Sequence, residues 1–312
     1  EEFFTLSLAL VRLRGREREG AAIRLEDTDI SPFLASLPFE LTGAQRRAIG
    51  EILADMRKGF PMNRLLQGDV GSGKTMVAAA AVYAAAKNGV QSAVMAPTEI
   101  LAGQHYATFS KALAPLGVRT CLLTGSLTPK QKEERKEALA AGEIDLAVGT
   151  HALVQDSTAF ARLGLVVTDE QHRFGVEQRR RLAGKGESPH SLVMSATPIP
   201  RTLALIVYGD LDLSVLDELP KGRQPVDTLV IHSNKRERAL GFIRDHIAAG
   251  EQAYIVCPLV EESESELLAA AQYRDRVAKA FPDIAVGLLH GRMKPAEKEA
   301  VMAAFQQGKV QL

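Results

Sequence analysis

Gly68-Asp69-Val70-Gly71-Ser72-Gly73-Lys74-Thr75 fills every position of the G-x-x-x-x-G-K-[ST] phosphate-binding loop. The aliphatic stretch Arg64-Leu65-Leu66-Gln67 stands before it and an alanine-rich run follows, which is the strand, loop and helix order that the motif needs. Gly68, Gly71 and Gly73 permit positive φ, so successive N–H groups can turn inward around a polyphosphate at the start of the next helix. Asp69, Val70 and Ser72 complete the cradle. Lys74 brings positive charge to the β- and γ-phosphates, and the Thr75 hydroxyl stands where it can ligate Mg²⁺. The ligands expected are therefore ATP and Mg²⁺.

About a hundred residues on, Leu163-Gly164-Leu165-Val166-Val167-Thr168 runs into Asp169-Glu170-Gln171-His172. An aliphatic strand that ends in two acids supplies what a Mg-nucleotide site takes from a neighbouring strand: Asp169 for the ion, Glu170 to orient and deprotonate the attacking water. A metal-bound carboxylate together with a free one points to hydrolysis. Met194-Ser195-Ala196-Thr197-Pro198 places two small hydroxyls at another strand tip. Ser195 and Thr197 read either as a relay that feels the γ-phosphate or as a helix N-cap. Thr42-Gly43-Ala44-Gln45 is equally double: it satisfies a capping box, and Gln45 could read the adenine edge with its amide, the reading preferred here.

From Pro38 onward, short aliphatic runs alternate with helical stretches, the pattern of a parallel sheet with crossover helices. Strands are expected at Arg64–Gln67, Ser92–Ala96, Arg119–Thr124, Asp145–Gly149, Leu163–Thr168 and Leu192–Ala196. Leu219 to Pro225, rich in Pro and Gly, reads as a hinge. A second series follows, with strands at Thr228–Ile231, Ala253–Cys257 and Ala285–Leu289 and helices at about Lys235–Ala249, Glu264–Phe281 and Pro295–Gln307. The fold expected is α/β: two P-loop domains with mainly parallel sheets, the second ending early. Three segments result: 1–36 as the exit of a preceding domain, 37–225 as the ATP-binding domain and 226–312 as a partial second domain. Phe3, Leu6, Leu10 and Leu13 at helical spacing suggest the end of an element of that preceding domain.

Three loops at strand ends carry small or hydroxyl residues suited to following a nucleic-acid backbone: Pro97-Thr98, Thr124-Gly125 and Thr150-His151. Singly, each is an ordinary turn; together on one sheet edge they point to DNA. The basic run Gln178 to Leu182 reads as a solvated helix face.

Composition sets the frame. With 312 residues and 46% hydrophobic content, two cores can be filled. Lys+Arg and Asp+Glu balance at 38 each, so total charge does not announce a nucleic-acid or membrane partner. Aromatics at 5% without Trp argue against a base-stacking surface. Cys121 and Cys257, in apolar runs, are expected as buried free thiols. Two cysteines and no His at ligand spacing leave no zinc site. A cytoplasmic monomer without membrane contact is the expectation.

The phosphate loop, Ala96-Pro97-Thr98-Glu99, Asp169-Glu170-Gln171-His172, Ser195-Ala196-Thr197 and His290-Gly291-Arg292-Met293 together resemble the superfamily 2 helicases. The longer strings Asp169 to Val176, Thr197 to Ala204 and Tyr208-Gly209-Asp210-Leu211 are similar to the RecG family of bacterial ATP-dependent DNA helicases. The similarity spans about Phe33 to the end. Transcription-repair coupling factor has a related motor, but Gln171 favours the RecG family.

The resemblance implies two RecA-like lobes and a double-stranded-DNA translocase that remodels stalled replication forks and branched recombination intermediates in DNA repair and recombination. It also implies coupling roles for Gln171, His172, Ser195 and Thr197. The family's preceding wedge domain, its fifth and sixth motor motifs and its arginine finger have no match in this sequence, so Mg-ATP binding with poor turnover is expected of this polypeptide. A P-loop phosphotransferase, or a nucleotide-binding module without catalysis, is the alternative from a different class.

Overall fold

The computed structural model describes residues 22–169, 181–196, 211–218, 226–257 and 264–312. The chain divides into two compact units, Glu1–Arg223 and Gln224–Leu312.

In the first unit, helix α1 (Ser31–Ser36) and helix α2 (Gly43–Met56) lead into strand β1 (Asn63–Gly68). Helix α3 (Lys74–Lys87), strand β2 (Gln91–Met95), helix α4 (Glu99–Leu113), strand β3 (Thr120–Leu123), helix α5 (Pro129–Ala140) and strand β4 (Leu146–Gly149) follow. Strands β5 (Leu163–Asp169), β6 (His190–Ser195) and β7 (Asp212–Leu216) complete the sheet. Its order is β3-β4-β2-β5-β6-β1-β7, and every pairing is parallel. All carboxyl ends therefore share one edge, where ligands of open α/β sheets bind. The six expected strands form within a residue or two of their expected bounds. β7 is a seventh that the sequence reading did not include.

α3 explains the alanine run. Val77 to Ala85 are all buried, so this helix is covered on every side, by the sheet and by α2 and α4. Alanine is the side chain that lets three layers approach this closely without loss of helix propensity. Phe33 of α1 stacks on Tyr83 with ring centroids 6.0 Å apart, which fastens the segment before α2 to this core.

A polar network ties β1 to its flanks. Arg64, 8% exposed, donates to Asp55 of α2 at 2.5 and 2.9 Å, to Glu51 at 3.1 Å and to Ser214 of β7 at 2.9 Å. Burial alone would raise the Asp55 carboxyl; hydrogen bonds from Lys58 and Arg64 outweigh it and hold the group below its usual range. The Arg64 bond to Ser214 adds a side-chain tie to the backbone ladder between β1 and β7.

The second unit contains helices α6 (Arg236–Ala248), α7 (Glu264–Ala280) and α8 (Pro295–Gln306), as expected. Its small core is Val277, Phe281 and Leu312. The three expected strands do not form among the described residues. Ala253, Ala285 and Gly287 make backbone bonds with Gln311 and Leu312, too few for a continuous ladder. At 228–231 the chain is exposed, Val230 to 96%: a strand without ladder or apolar neighbours gains nothing. Cys121 is buried, which pushes its thiol up to about 11, but Cys257 is exposed, contrary to expectation. Among the described residues, no helix is long and apolar enough to cross a membrane.

His190 gives the first unit a pH dependence. At 1% exposure its Nδ1 accepts from the Met62 N–H (3.0 Å), so Nε2 carries the hydrogen and donates to the Ile23 carbonyl (2.9 Å). Burial lowers its pKa below the ordinary 6.5, against the opposing pull of the Ile23 carbonyl and Asp55. A lowered folded-state pKa contributes stability that is complete above about 6.5 and lost as pH falls further. Thermal melting between pH 8 and pH 5 should show the wild type losing stability on acidification. His190→Asn should start lower at pH 8 and fall less; parallel slopes for the two proteins would refute the assignment.

Candidate functional site

The loop between β1 and α3 is built by its glycines. Gly71 and Gly73 have φ of 80° and 85°, in the left-handed region that side chains disfavour. A Cβ on Gly73 would lie 2.3 Å from Gln45 Nε2, and one on Gly68 would lie 2.6 Å from Ser72 Oγ. Ser72 N donates to Asp69 O (3.1 Å), and Val70 N donates to Asp69 Oδ1 (2.9 Å). Lys74 Nζ folds back on the carbonyls of Gly68 (2.6 Å) and Asp69 (2.9 Å). No side chain caps the start of α3 and no acid lies in its first turn, where Thr75 sits half-buried. The Ser72 hydroxyl is buried without a partner among the described residues. A helix start without side-chain cap or acid, two left-handed glycines and a lysine folded back on the loop's first carbonyls fit a polyphosphate.

Gln45 performs the capping role. Its Oε1 accepts from Thr42 N (2.9 Å), and its own N donates to Thr42 Oγ1 (3.2 Å). The remaining end of the amide, Nε2, donates to Ser72 O in the loop (2.7 Å). An acid also supports the same helix start: Glu218 Oε2 accepts from Ala44 N (3.2 Å), beside an Arg47–Asp217 pair at 2.6 Å. Neither Asp217 nor Glu218 stood out in the sequence, because their partners lie some 170 residues away.

Register brings the other strand tips level with the loop. Asp169 pairs with Met194, Met194 with Leu66, and Ser195 with Gln67. With strands about 4.8 Å apart, Asp169 lies about 10 Å across the sheet edge from β1, a gap that a metal-phosphate cluster can span. Ser195 is buried at the end of β6. Glu170, Gln171, His172 and Thr197 lie outside the described residues. Asp169 Oδ2 is met by His105 Nε2 of α4 at 2.6 Å, a contact that sequence reading missed. The only sequence signal was position: His105 lies seven residues past Thr98 on the same helix.

The second half of the edge, at β3, β4 and β2, carries the other group. Pro97, Thr98, Gly125, Thr150 and His151 line one cleft of about 320 Å³, joined by Lys132. Thr124 is buried beneath it, its hydroxyl 3.1 Å from Ser126 Oγ. Glu99 Oε1 accepts from Ser126 N (3.0 Å), and Lys132 donates to Gly125 O (2.6 Å), so the glycine turn is held from both sides. Among the described residues, no cluster of three or more His, Cys, Asp or Glu could hold a metal ion.

An all-parallel sheet with this loop on one strand and an acid two strands away defines a RecA-like P-loop domain. The chain belongs to the DEAD/DEAH box helicase family, whose model matches residues 42–206. It is 53% identical over 315 residues to the ATP-dependent DNA helicase RecG of Acidithiobacillus ferridurans and 49% identical over 320 residues to that of Escherichia coli K12. Both alignments take in all of this chain and 46% of the relative. The chain thus spans about half the length of these curated relatives. A solved structure of RecG bound to a three-way DNA junction superposes with TM-score 0.80 at 42% identity, covering 99% of this chain and 41% of that one. The DEAD-box helicase Mss116 shares the fold, with TM-score 0.68 at 18% identity over 91% of this chain and 62% of its own.

Gly73→Ala should raise the dissociation constant for ATP at least about 10-fold, about 1.4 kcal/mol, because the new methyl meets both a left-handed backbone and the Gln45 amide. Fluorescent-nucleotide titration, with circular dichroism as the folding control, measures it. Unchanged affinity in a folded variant would contradict the loop assignment.

Proposed function

We propose that this chain is the motor core of an ATP-dependent DNA helicase that remodels branched DNA such as stalled replication forks and recombination intermediates. The observation that carries the reading is the division of one sheet edge: a phosphate loop and metal-type acid at β1, β6 and β5, and a backbone-following cleft at β2, β4 and β3. The identity with RecG helicases and the likeness to a RecG–junction complex support DNA as the partner. The cytoplasm of a bacterium is where that substrate lies. We assign 37–225 to the ATP-binding domain, 226–312 to part of a second motor domain and 1–36 to the exit of a preceding one.

In this reading Gly68 to Thr75 cradle the triphosphate with their backbone amides, and Lys74 leaves the loop carbonyls for the β- and γ-phosphates. Thr75 and Asp169 would hold Mg²⁺, which when bound neutralises charge on those phosphates. Glu170 orients the attacking water and accepts its proton. Ser195, Thr197, Gln171 and His172 relay the state of the γ-phosphate. Base recognition by Gln45 would exchange its bond to Ser72 for one to adenine, leaving its helix cap in place. Pro97, Thr98, Thr124, Gly125, Thr150 and His151 follow the DNA backbone through amides, hydroxyls and a helix start, without reading bases.

The test is ATP hydrolysis with branched and with linear duplex DNA, beside nucleotide affinity. Turnover by this polypeptide alone should be slow, while in the full-length protein branched DNA should stimulate phosphate release more than linear duplex does, with no added acceptor. In the full-length protein, Glu170→Gln should keep nucleotide affinity within about twofold while hydrolysis falls at least about 100-fold. Phosphate release that requires a small-molecule acceptor would indicate a phosphotransferase, and equal loss of binding and hydrolysis would make Glu170 structural.

A further inference from the structure

The contact between His105 and Asp169 joins the two halves of the sheet edge. α4 begins in the backbone cleft, where Thr98 caps it by accepting from Leu101 N at 3.3 Å. Two turns further along the same helix, His105 Nε2 lies 2.6 Å from Asp169 Oδ2, with the two side chains only 11% and 13% exposed. The imidazole is braced by the buried Phe109 ring, centroids 6.2 Å apart. An ionised carboxylate only accepts, so Nε2 carries the hydrogen and donates. That bond fixes which way the Asp169 carboxylate turns. Hydrogen bonds of this kind orient metal-binding carboxylates and set their affinity. One end of the contact stands on a 15-residue helix and the other on a central strand, so a small shift at Thr98 moves Nε2 relative to Asp169.

We propose that His105 is a positioning residue that couples occupation of the DNA-backbone cleft at the start of α4 to the metal-holding carboxylate of Asp169. The inference rests on the helicase reading above and adds a route by which DNA would tune Mg²⁺ binding and hydrolysis. The whole route is Thr98, α4, His105 and Asp169.

The experiment compares wild type, His105→Ala and His105→Gln, whose amide keeps a donor near the Nε2 position. Fluorescent-ATP binding is titrated with Mg²⁺, with and without a three-way DNA junction, and DNA-stimulated hydrolysis is measured in parallel. In wild type, DNA should lower the Mg²⁺ concentration for half-maximal nucleotide binding. In His105→Ala that concentration should rise at least about 10-fold and cease to respond to DNA, while metal-free nucleotide affinity and DNA affinity stay within about twofold. His105→Gln should recover a substantial part of the response. The proposal is overturned if a folded His105→Ala responds to DNA as wild type does, if His105→Gln recovers nothing, or if the wild-type Mg²⁺ requirement ignores bound DNA. Should His105→Ala not fold, the wild-type and His105→Gln arms still decide. Lys74→Ala tests the underlying ATP reading separately: wild-type nucleotide affinity in that variant would sink the reading itself, whatever His105 does.

Discussion

The contact on which the first unit turns is the bond from Gln45 Nε2 to the Ser72 carbonyl, made at 2.7 Å across the left-handed Gly73. It holds the phosphate loop from behind, and its geometry leaves no room for a side chain at Gly73. Because the other end of the same amide caps α2, the loop's shape and that helix's start are one structure. Glu218, which accepts from Ala44 N, ties the residues just after β7 to this assembly. A change at any of these positions is therefore felt in the loop.

Behind that assembly, packing sets the geometry of the site. α3 is covered on all sides, which its alanines allow, so the helix that starts at the loop is fixed by packing along its length. β1 is held on one side by β6 and on the other by β7, with Arg64 pinned between Asp55, Glu51 and Ser214. A guanidinium this buried is tolerated because several oxygens share it. The parallel register then puts Asp169, Ser195 and the loop on the same edge without any further device.

Much of this was legible in the order of residues. The loop, the Asp169 strand and the six expected strands follow from local patterns of glycine, aliphatic runs and acids. β7 was missed because Asp212-Leu213-Ser214-Val215-Leu216 is short and mixed, and becomes a strand only through β1 and the Arg64–Ser214 bond. The strands expected at 228–231, 253–257 and 285–289 have the right propensity, yet propensity without a ladder leaves Val230 and Cys257 in solvent. Gln45 shows a different limit: its capping box is readable from four residues, but its bond to Ser72 depends on how α2 lies against the loop. His105, Glu99 and Glu218 gave no local sign, since each acts on a partner 27 to 174 residues away.

In the proposed site, one ion is shared by a triphosphate in the loop and by the carboxylate of Asp169. Pulsed electron–nuclear double resonance on the protein with Mn²⁺ and a slowly hydrolysed ATP analogue tests it directly. Phosphorus-31 coupling to the bound Mn²⁺ is expected, with a marked weakening of Mn²⁺ binding in Asp169→Asn. Mn²⁺ that binds without sensing phosphorus, or that binds Asp169→Asn as tightly as wild type, would contradict it.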